Sequence, residues 1–65
     1  MRLKGEYIML PKDPMILFSF LNMKLRDQYG SLDALCDDME ADKQELLDTM
    51  AGVGFHYDPE RNAFV

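Results

Sequence analysis

Residues 31–65 constrain the fold more than any other part of the sequence, because two short amphipathic patterns are followed there by a turn between two β-prone segments. Only two residues, 40–41, separate the amphipathic patterns, so helices formed there must cross at a steep angle. The β-prone segments 55–57 and 63–65 flank residues 58–62, which contain the proline and asparagine typical of tight turns. This order predicts a helix-turn-helix followed by a β-hairpin wing.

Three capping signals mark where helices begin. Asp13 stands before Pro14, a residue suited to the first helical position, and predicts the start of a first helix. Ser31 predicts the start of the second helix, and Asp42, with Glu45 three residues later, predicts the third. The predicted fold is therefore α+β and mainly α, with three short helices plus a C-terminal β-hairpin in a winged helix-turn-helix-like arrangement. A three-helix bundle with an irregular tail is the alternative.

The apolar residues of each predicted helix indicate a face that is turned towards the core. The predicted core-facing residues are Leu17, Phe18, Leu21 and Leu25 in the first helix, Leu32, Leu35, Cys36 and Met39 in the second, and Leu46, Leu47, Met50 and Val53 in the third. Gly30 is expected to end the first helix in a left-handed conformation, and Gly52 and Gly54 are expected to end the third. Glu40 stands where helix-turn-helix turns often use glycine.

The 65 residues are enough for one domain only. Residues 1–10 form an N-terminal extension or a short strand, since residues 6–10 are β-prone, and residues 11–65 form a single winged-helix-like domain. The one cysteine excludes an internal disulfide and is typical of a reducing compartment. The sequence has neither a membrane span nor the features of a signal peptide, so we expect a soluble, cytoplasmic protein.

The charge on the helix-turn-helix pattern argues against DNA binding. Residues 27–48 contain eight carboxylates and one basic residue, Lys43, which gives a net charge of −7, whereas residues 1–26 sum to +3. A helix that reads DNA lies against phosphates and needs positive charge. We therefore expect no nucleic-acid partner. The order of the elements nevertheless keeps a DNA-binding transcriptional regulator as the alternative function.

One pattern resembles the beginning of a calcium-binding loop. Asp38, Glu40 and Asp42 alternate as the first ligands of such a loop do, but its sixth and twelfth positions require glycine and glutamate. Those positions hold Lys43 and Thr49. The carboxylates are explained equally well as solvated helix faces and caps, so we expect no metal site.

Cys36 and His56 are the only thiol and the only imidazole, and together they would make a nucleophile and a base. Cys36, however, belongs to the apolar face of the second helix, and His56 is out of phase with the apolar residues of its predicted strand. The sequence also lacks a glycine-rich phosphate loop. We therefore expect no enzymatic activity, no catalytic residue and no cofactor.

The first helix carries more apolar residues than its neighbours can cover, which indicates a contact surface. The candidate interface residues are Ile8, Leu10, Ile16, Phe20 and Met23. A small domain without disulfide or metal gains stability from oligomerisation, so we expect a homodimer or another protein partner on this helix. The predicted function is that of a small, non-enzymatic protein-interaction module with a regulatory role.

Four blocks of the sequence resemble a set of short, uncharacterised bacterial proteins grouped as a domain of unknown function. The blocks are LPKDP (10–14), SFLNMKLRDQY (19–29, with KLRD inside it), SLDALCDDME (31–40) and GFHYDPERNAF (54–64). The resemblance covers residues 9–65 and implies no activity, cofactor or catalytic residue, because the family has none established. Since it begins near Met9, it indicates Met9 as an alternative start and residues 1–8 as an extension.

Overall fold

A computed structural model of the chain describes residues 10–65. The first helix, α1, spans Pro14–Asp27. As the sequence predicts, Asp13 caps it: the carboxylate Oδ1 accepts hydrogen bonds from the backbone amides of Met15 at 2.8 Å and Ile16 at 3.4 Å. The β-prone residues 6–10 lie almost entirely outside the described residues, so the predicted N-terminal strand remains a prediction.

The prediction that Gly30 ends α1 in a left-handed conformation is wrong. Gly30 has no positive φ, and the helix ends three residues earlier. The backbone amides of Gln28 and Tyr29 both donate to the carbonyl of Lys24, at 2.8 and 3.1 Å. This shared bond satisfies an end carbonyl without a left-handed residue, so no glycine is needed there.

The second helix, α2 (Leu32–Met39), and the third, α3 (Lys43–Ala51), begin at the predicted caps. Ser31 Oγ accepts from the amide of Ala34 at 3.1 Å, and Asp42 Oδ1 accepts from the amide of Glu45 at 3.2 Å. The turn between these helices is left-handed at Glu40, with φ 56° and ψ 40°. The strained, left-handed position of the turn is thus occupied by a glutamate and not by a glycine.

The predicted β-hairpin is confirmed as two short antiparallel strands, β1 (Tyr57–Asp58) and β2 (Ala63–Phe64). Asn62 has the positive φ, 53°, that the turn residues indicate. His56 and Val65 continue the pairing with two backbone hydrogen bonds of 3.0 and 2.8 Å. The observed order is therefore three helices followed by a hairpin, whereas the closer winged-helix resemblance remains a prediction.

The core lies where α1, α2, α3 and β2 meet. Its buried residues are Leu17, Leu21, Leu25, Leu32, Leu35, Cys36, Met39, Leu46, Met50 and Phe64. Phe18 packs against its edge and stacks on Phe55 with ring centroids 4.0 Å apart. Val53 does not join the core as predicted: α3 ends at Ala51, and Val53 lies in the following turn with 42% of its surface exposed.

Two asparagines attach the hairpin to α1. Asn22 Nδ2 donates to the Phe64 carbonyl at 3.1 Å, and the Phe64 amide donates to Asn22 Oδ1 at 2.7 Å. Asn62 Nδ2 donates to the carbonyls of Leu25 at 3.1 Å and Tyr29 at 2.9 Å, at the end of the helix. These bonds hold the side of α1 that carries Asn22 firmly against the hairpin.

A tyrosine hydroxyl joins the hairpin to α2. Tyr57 Oη donates to Asn62 Oδ1 at 2.6 Å and accepts from the backbone amide of Leu32 at 3.2 Å. The Leu32 amide belongs to the first turn of α2, where amides have no partner within the helix. The hydroxyl therefore satisfies a helix-end donor and a turn side chain at once.

Candidate interaction surface

The side of α1 that faces away from the core is apolar. We call Met15, Ile16, Ser19, Phe20 and Met23 the outer face of α1. Residues 16, 19, 20 and 23 follow the i, i+3, i+4, i+7 spacing that places side chains on one side of a helix. Met15, Ile16 and Met23 are 54%, 58% and 43% exposed, which makes them three of the five large exposed hydrophobic residues in the described part of the chain.

The predicted interface residues are only partly brought together. Ile16 and Met23 lie on the outer face and are exposed. Phe20 is half-buried at its edge and packs against the core, while the ammonium of Lys24 lies 5.6 Å from the centroid of the Phe20 ring. Leu10 is half-buried against the core rather than on the outer face, and Ile8 lies outside the described residues.

The prediction from sequence did not include Met15, although this residue is as exposed as Ile16. The signal was present in the spacing of Met15, Ser19 and Met23, which recur every four residues along one side of the helix.

Charged residues close both ends of the outer face. Lys12 and Asp13 stand exposed at its beginning, and Arg26 and Asp27 stand exposed at its end. The Arg26 guanidinium donates to both carboxylate oxygens of Asp27, at 2.9 and 3.4 Å. This hydrogen bond lowers the pKa of Asp27 and raises the pKa of Arg26. Each end therefore presents one cation and one anion around an apolar centre.

Residues 27–48 contain one base, Lys43, and that base already has a partner. Its ammonium lies 2.6 Å from the carboxylate of Asp33, and this hydrogen bond raises the pKa of Lys43. On α3 the amide of Gln44 donates to Asp48 at 2.9 Å. Residues 27–48 thus present carboxylates and one lysine whose charge is compensated by Asp33.

The two residues that could form a nucleophile and a base lie in different environments. Cys36 is buried in the core, where burial raises the pKa of its thiol and keeps it protonated at neutral pH. His56 is exposed beside the hairpin, and no hydrogen bond joins it to Cys36 within residues 10–65. In the same residues, no three His, Cys, Asp or Glu side chains lie close enough to hold a metal ion.

Two open grooves flank the helices. One, of about 560 Å³, lies between residues 10–12 and the α2–α3 turn, with Leu17 and Leu46 on its floor and carboxylates such as Glu45 at its rim. The other, of about 640 Å³, runs between α1 and the hairpin and is lined by Arg26 and Arg61. Both arginines also pair with aspartates, so the second groove does not concentrate uncompensated charge.

Comparison with known proteins gives a family and no activity. Residues 11–64 match the family described as "Domain of unknown function (DUF4250)", and the chain belongs to that family. No curated protein and no solved structure matches the chain at a significant level. None of the helices in residues 10–65 is long and apolar enough to cross a membrane.

Proposed function

We propose that this domain is a non-enzymatic protein-interaction module that binds its partner through the outer face of α1. The observation that carries the proposal is the exposure of Met15, Ile16 and Met23 on one side of one helix. Contiguous exposed apolar surface on a small domain is typical of a binding site. Burying such surface gains about 25 cal/mol per Å² removed from water.

The composition of the surface supports this proposal. Methionine, aromatic residues and arginine are enriched in protein interfaces, and a polar rim around an apolar centre is their usual arrangement. The outer face has two methionines, an isoleucine and the edge of Phe20 at its centre. Arg26 and the other charged residues at its ends supply the rim. Methionine also adapts its shape to a partner at little cost.

The proposal includes the absence of enzymatic activity, and the buried thiol of Cys36 supports this part of the proposal. A nucleophilic cysteine needs access to substrate and a lowered pKa, whereas Cys36 is 6% exposed and has a raised pKa. A module without its own chemistry acts by occupying or releasing a partner. We therefore propose a regulatory role, and the single cysteine favours the cytoplasm as its compartment.

The second candidate is a DNA-binding regulator. The order of three helices and a hairpin, with the left-handed turn at Glu40, favours it. The charge opposes it, because the only base of residues 27–48 is held by Asp33. Titration with random duplex DNA at low salt decides between the two. Sub-micromolar binding that weakens steeply with added salt would establish the DNA-binding candidate.

The proposed function is tested by charging the outer face. The double variant Ile16→Glu/Met23→Glu places two carboxylates at its centre, and Ala34→Glu/Ala51→Glu adds the same charge at exposed positions of α2 and α3. Proteins bound by tagged versions of the chain are quantified after cross-linking in native cells. We expect the first variant to lose the partner and the control to keep it.

Thermal unfolding followed by circular dichroism checks that both variants fold. The proposal fails if the folded Ile16→Glu/Met23→Glu variant keeps everything that the wild-type chain binds. It also fails if the wild-type chain binds nothing, including itself.

A further inference from the structure

We infer that the partner of the outer face is a second copy of this chain, with the two α1 helices antiparallel and centred between Ser19 and Phe20. This inference rests on the proposed function, because it names the occupant of the same surface. It is carried by the arrangement of charge and side-chain size along the outer face. The symmetry would be twofold, so each contact occurs twice.

The register follows from the positions of the apolar residues. In an antiparallel pair centred between residues 19 and 20, Ile16 lies opposite Met23 of the partner subunit, and the reverse contact is identical. Ile16 and Met23, which lie at equal distances on either side of the centre, therefore cover each other. Ser19 is small and exposed at the crossing point, which allows the two helices to approach closely.

The charges at the ends distinguish antiparallel from parallel packing. In the antiparallel register, Lys12 lies opposite Asp27 of the partner subunit, and Asp13 lies opposite Arg26 of the partner subunit. Asp27 keeps its bond to Arg26 and Asp13 keeps its capping bonds, since a carboxylate accepts more than one donor and a guanidinium offers five. A parallel pair would place each of these charges against its own copy. Opposite charges attract and like charges repel across such an interface, and the antiparallel arrangement also opposes the two helix dipoles.

The half-buried ring of Phe20 extends the contact to one side. Lys24 lies over this ring within one chain, and its aliphatic stem widens the apolar area that a second copy can cover. One pair of short helices covers less than the roughly 800 Å² per partner of a standard interface. We therefore expect a dimer that forms and dissociates with concentration.

Single cysteine substitutions test the register directly in the full chain. In the proposed pair, residue 19 is offset from its own copy by one residue, about 1.5 Å along the helix, whereas residue 16 is offset by seven, about 10 Å. A disulfide requires Cα atoms within about 7 Å. Ser19→Cys should form a covalent dimer under mild oxidation, and Ile16→Cys alone should not.

A mixture of two cysteine variants completes the test of the register. A mixture of Ile16→Cys and Met23→Cys chains should form the covalent heterodimer, since these positions face each other. The wild-type chain is the control for Cys36, which is buried and should not cross-link. Gln44→Cys is the control for random collision, because that residue is exposed and belongs to α3 rather than α1.

Charge reversal tests the ends. Lys12→Glu and Asp27→Lys should each weaken the dimer by about three- to tenfold in sedimentation equilibrium, as expected for exposed ion pairs that occur twice. The double variant restores opposite charges across the interface and should recover the wild-type dissociation constant. Circular dichroism confirms that the helix content of each variant is unchanged.

Three results would overturn the inference. The wild-type chain could sediment as a monomer up to millimolar concentration, with no cross-link at Ser19→Cys. Ile16→Cys could cross-link to itself, which indicates a parallel pair. Ile16→Glu/Met23→Glu could remain dimeric, which places the interface elsewhere. In the first case, the proposed function would still hold if the wild-type chain bound a different protein in native cells and Ile16→Glu/Met23→Glu did not.

Discussion

The two sides of α1 use similar residues in opposite ways. On the inner side, Leu17, Leu21 and Leu25 are each at most 3% exposed, and Asn22 holds this side to the hairpin. On the outer face, Met15, Ile16 and Met23 are also apolar but about half exposed. Hydrophobicity alone does not separate these sides. The difference lies in what the rest of the chain can cover, since two short helices and a hairpin suffice for one side only.

The strongest test of this contrast removes one apolar side chain from each side. Leu21→Ala leaves a cavity in the core and should lower the free energy of unfolding by about 2–5 kcal/mol. Ile16→Ala at the exposed position should change it by less than about 0.5 kcal/mol in a monomer. Urea denaturation at low protein concentration measures both. Equal costs at the two positions would remove the distinction between the sides.

The second test concerns polar residues on the two sides. Asn22→Ala deletes both hydrogen bonds to the backbone of Phe64 and should cost about 2–3 kcal/mol, because two partly buried groups lose their partners. Asn22→Asp keeps the acceptor for the Phe64 amide and should cost less. Ser19→Ala on the outer face should be neutral or slightly stabilising. Urea denaturation gives the three values, and a small loss for Asn22→Ala would show that the hairpin is held mainly by packing.

The third test concerns the left-handed turn at Glu40. A variant with a more stable turn would also allow weak effects of outer-face substitutions on stability to be measured. Glu40→Gly removes a side chain from a left-handed position and should raise the free energy of unfolding by about 1 kcal/mol. Glu40→Ala keeps the strain and should change stability little. If both variants behave alike in urea, the left-handed conformation at residue 40 carries no cost.

The smallest expected effect is the pH dependence of the Arg26–Asp27 pair at the end of the outer face. Because the folded pKa of Asp27 is lowered, the pair stabilises the fold above the usual aspartate pKa, and this contribution disappears as pH falls through the lowered value. Arg26→Gln should raise the Asp27 pKa towards its ordinary range. Carboxyl carbon shifts in NMR titrations follow it, and an unchanged pKa would show that the hydrogen bond does not persist in solution.

The helices and the hairpin could be predicted because their signals are local. Asp13, Ser31 and Asp42 each accept an amide within three residues, so a cap can be recognised without knowledge of the fold. The apolar spacing of Leu32 and Leu35 reports a buried face in the same local way. These signals depend on neighbouring residues only.

The bonds of Asn22 could not be predicted, because its partner lies 42 residues away. A polar residue on a helix usually faces water, and nothing near Asn22 in the sequence indicates a backbone opposite it. Gly30 and Val53 were predicted incorrectly for a related reason. The first helix ended before the glycine that was expected to stop it, and the third ended before the last residue of its apolar spacing. Backbone bonds to the carbonyls of Lys24 and Met50 decided these ends.

The long separation between Asn22 and Phe64 also has a consequence for how the chain is made. Phe64 has the largest fully buried side chain of the core, and it belongs to the element that follows all three helices. During translation, the leucines of α1 therefore emerge from the ribosome well before the ring that covers them. We expect the nascent chain to keep this apolar surface uncovered until residues 62–64 appear, and to be a client of chaperones until then.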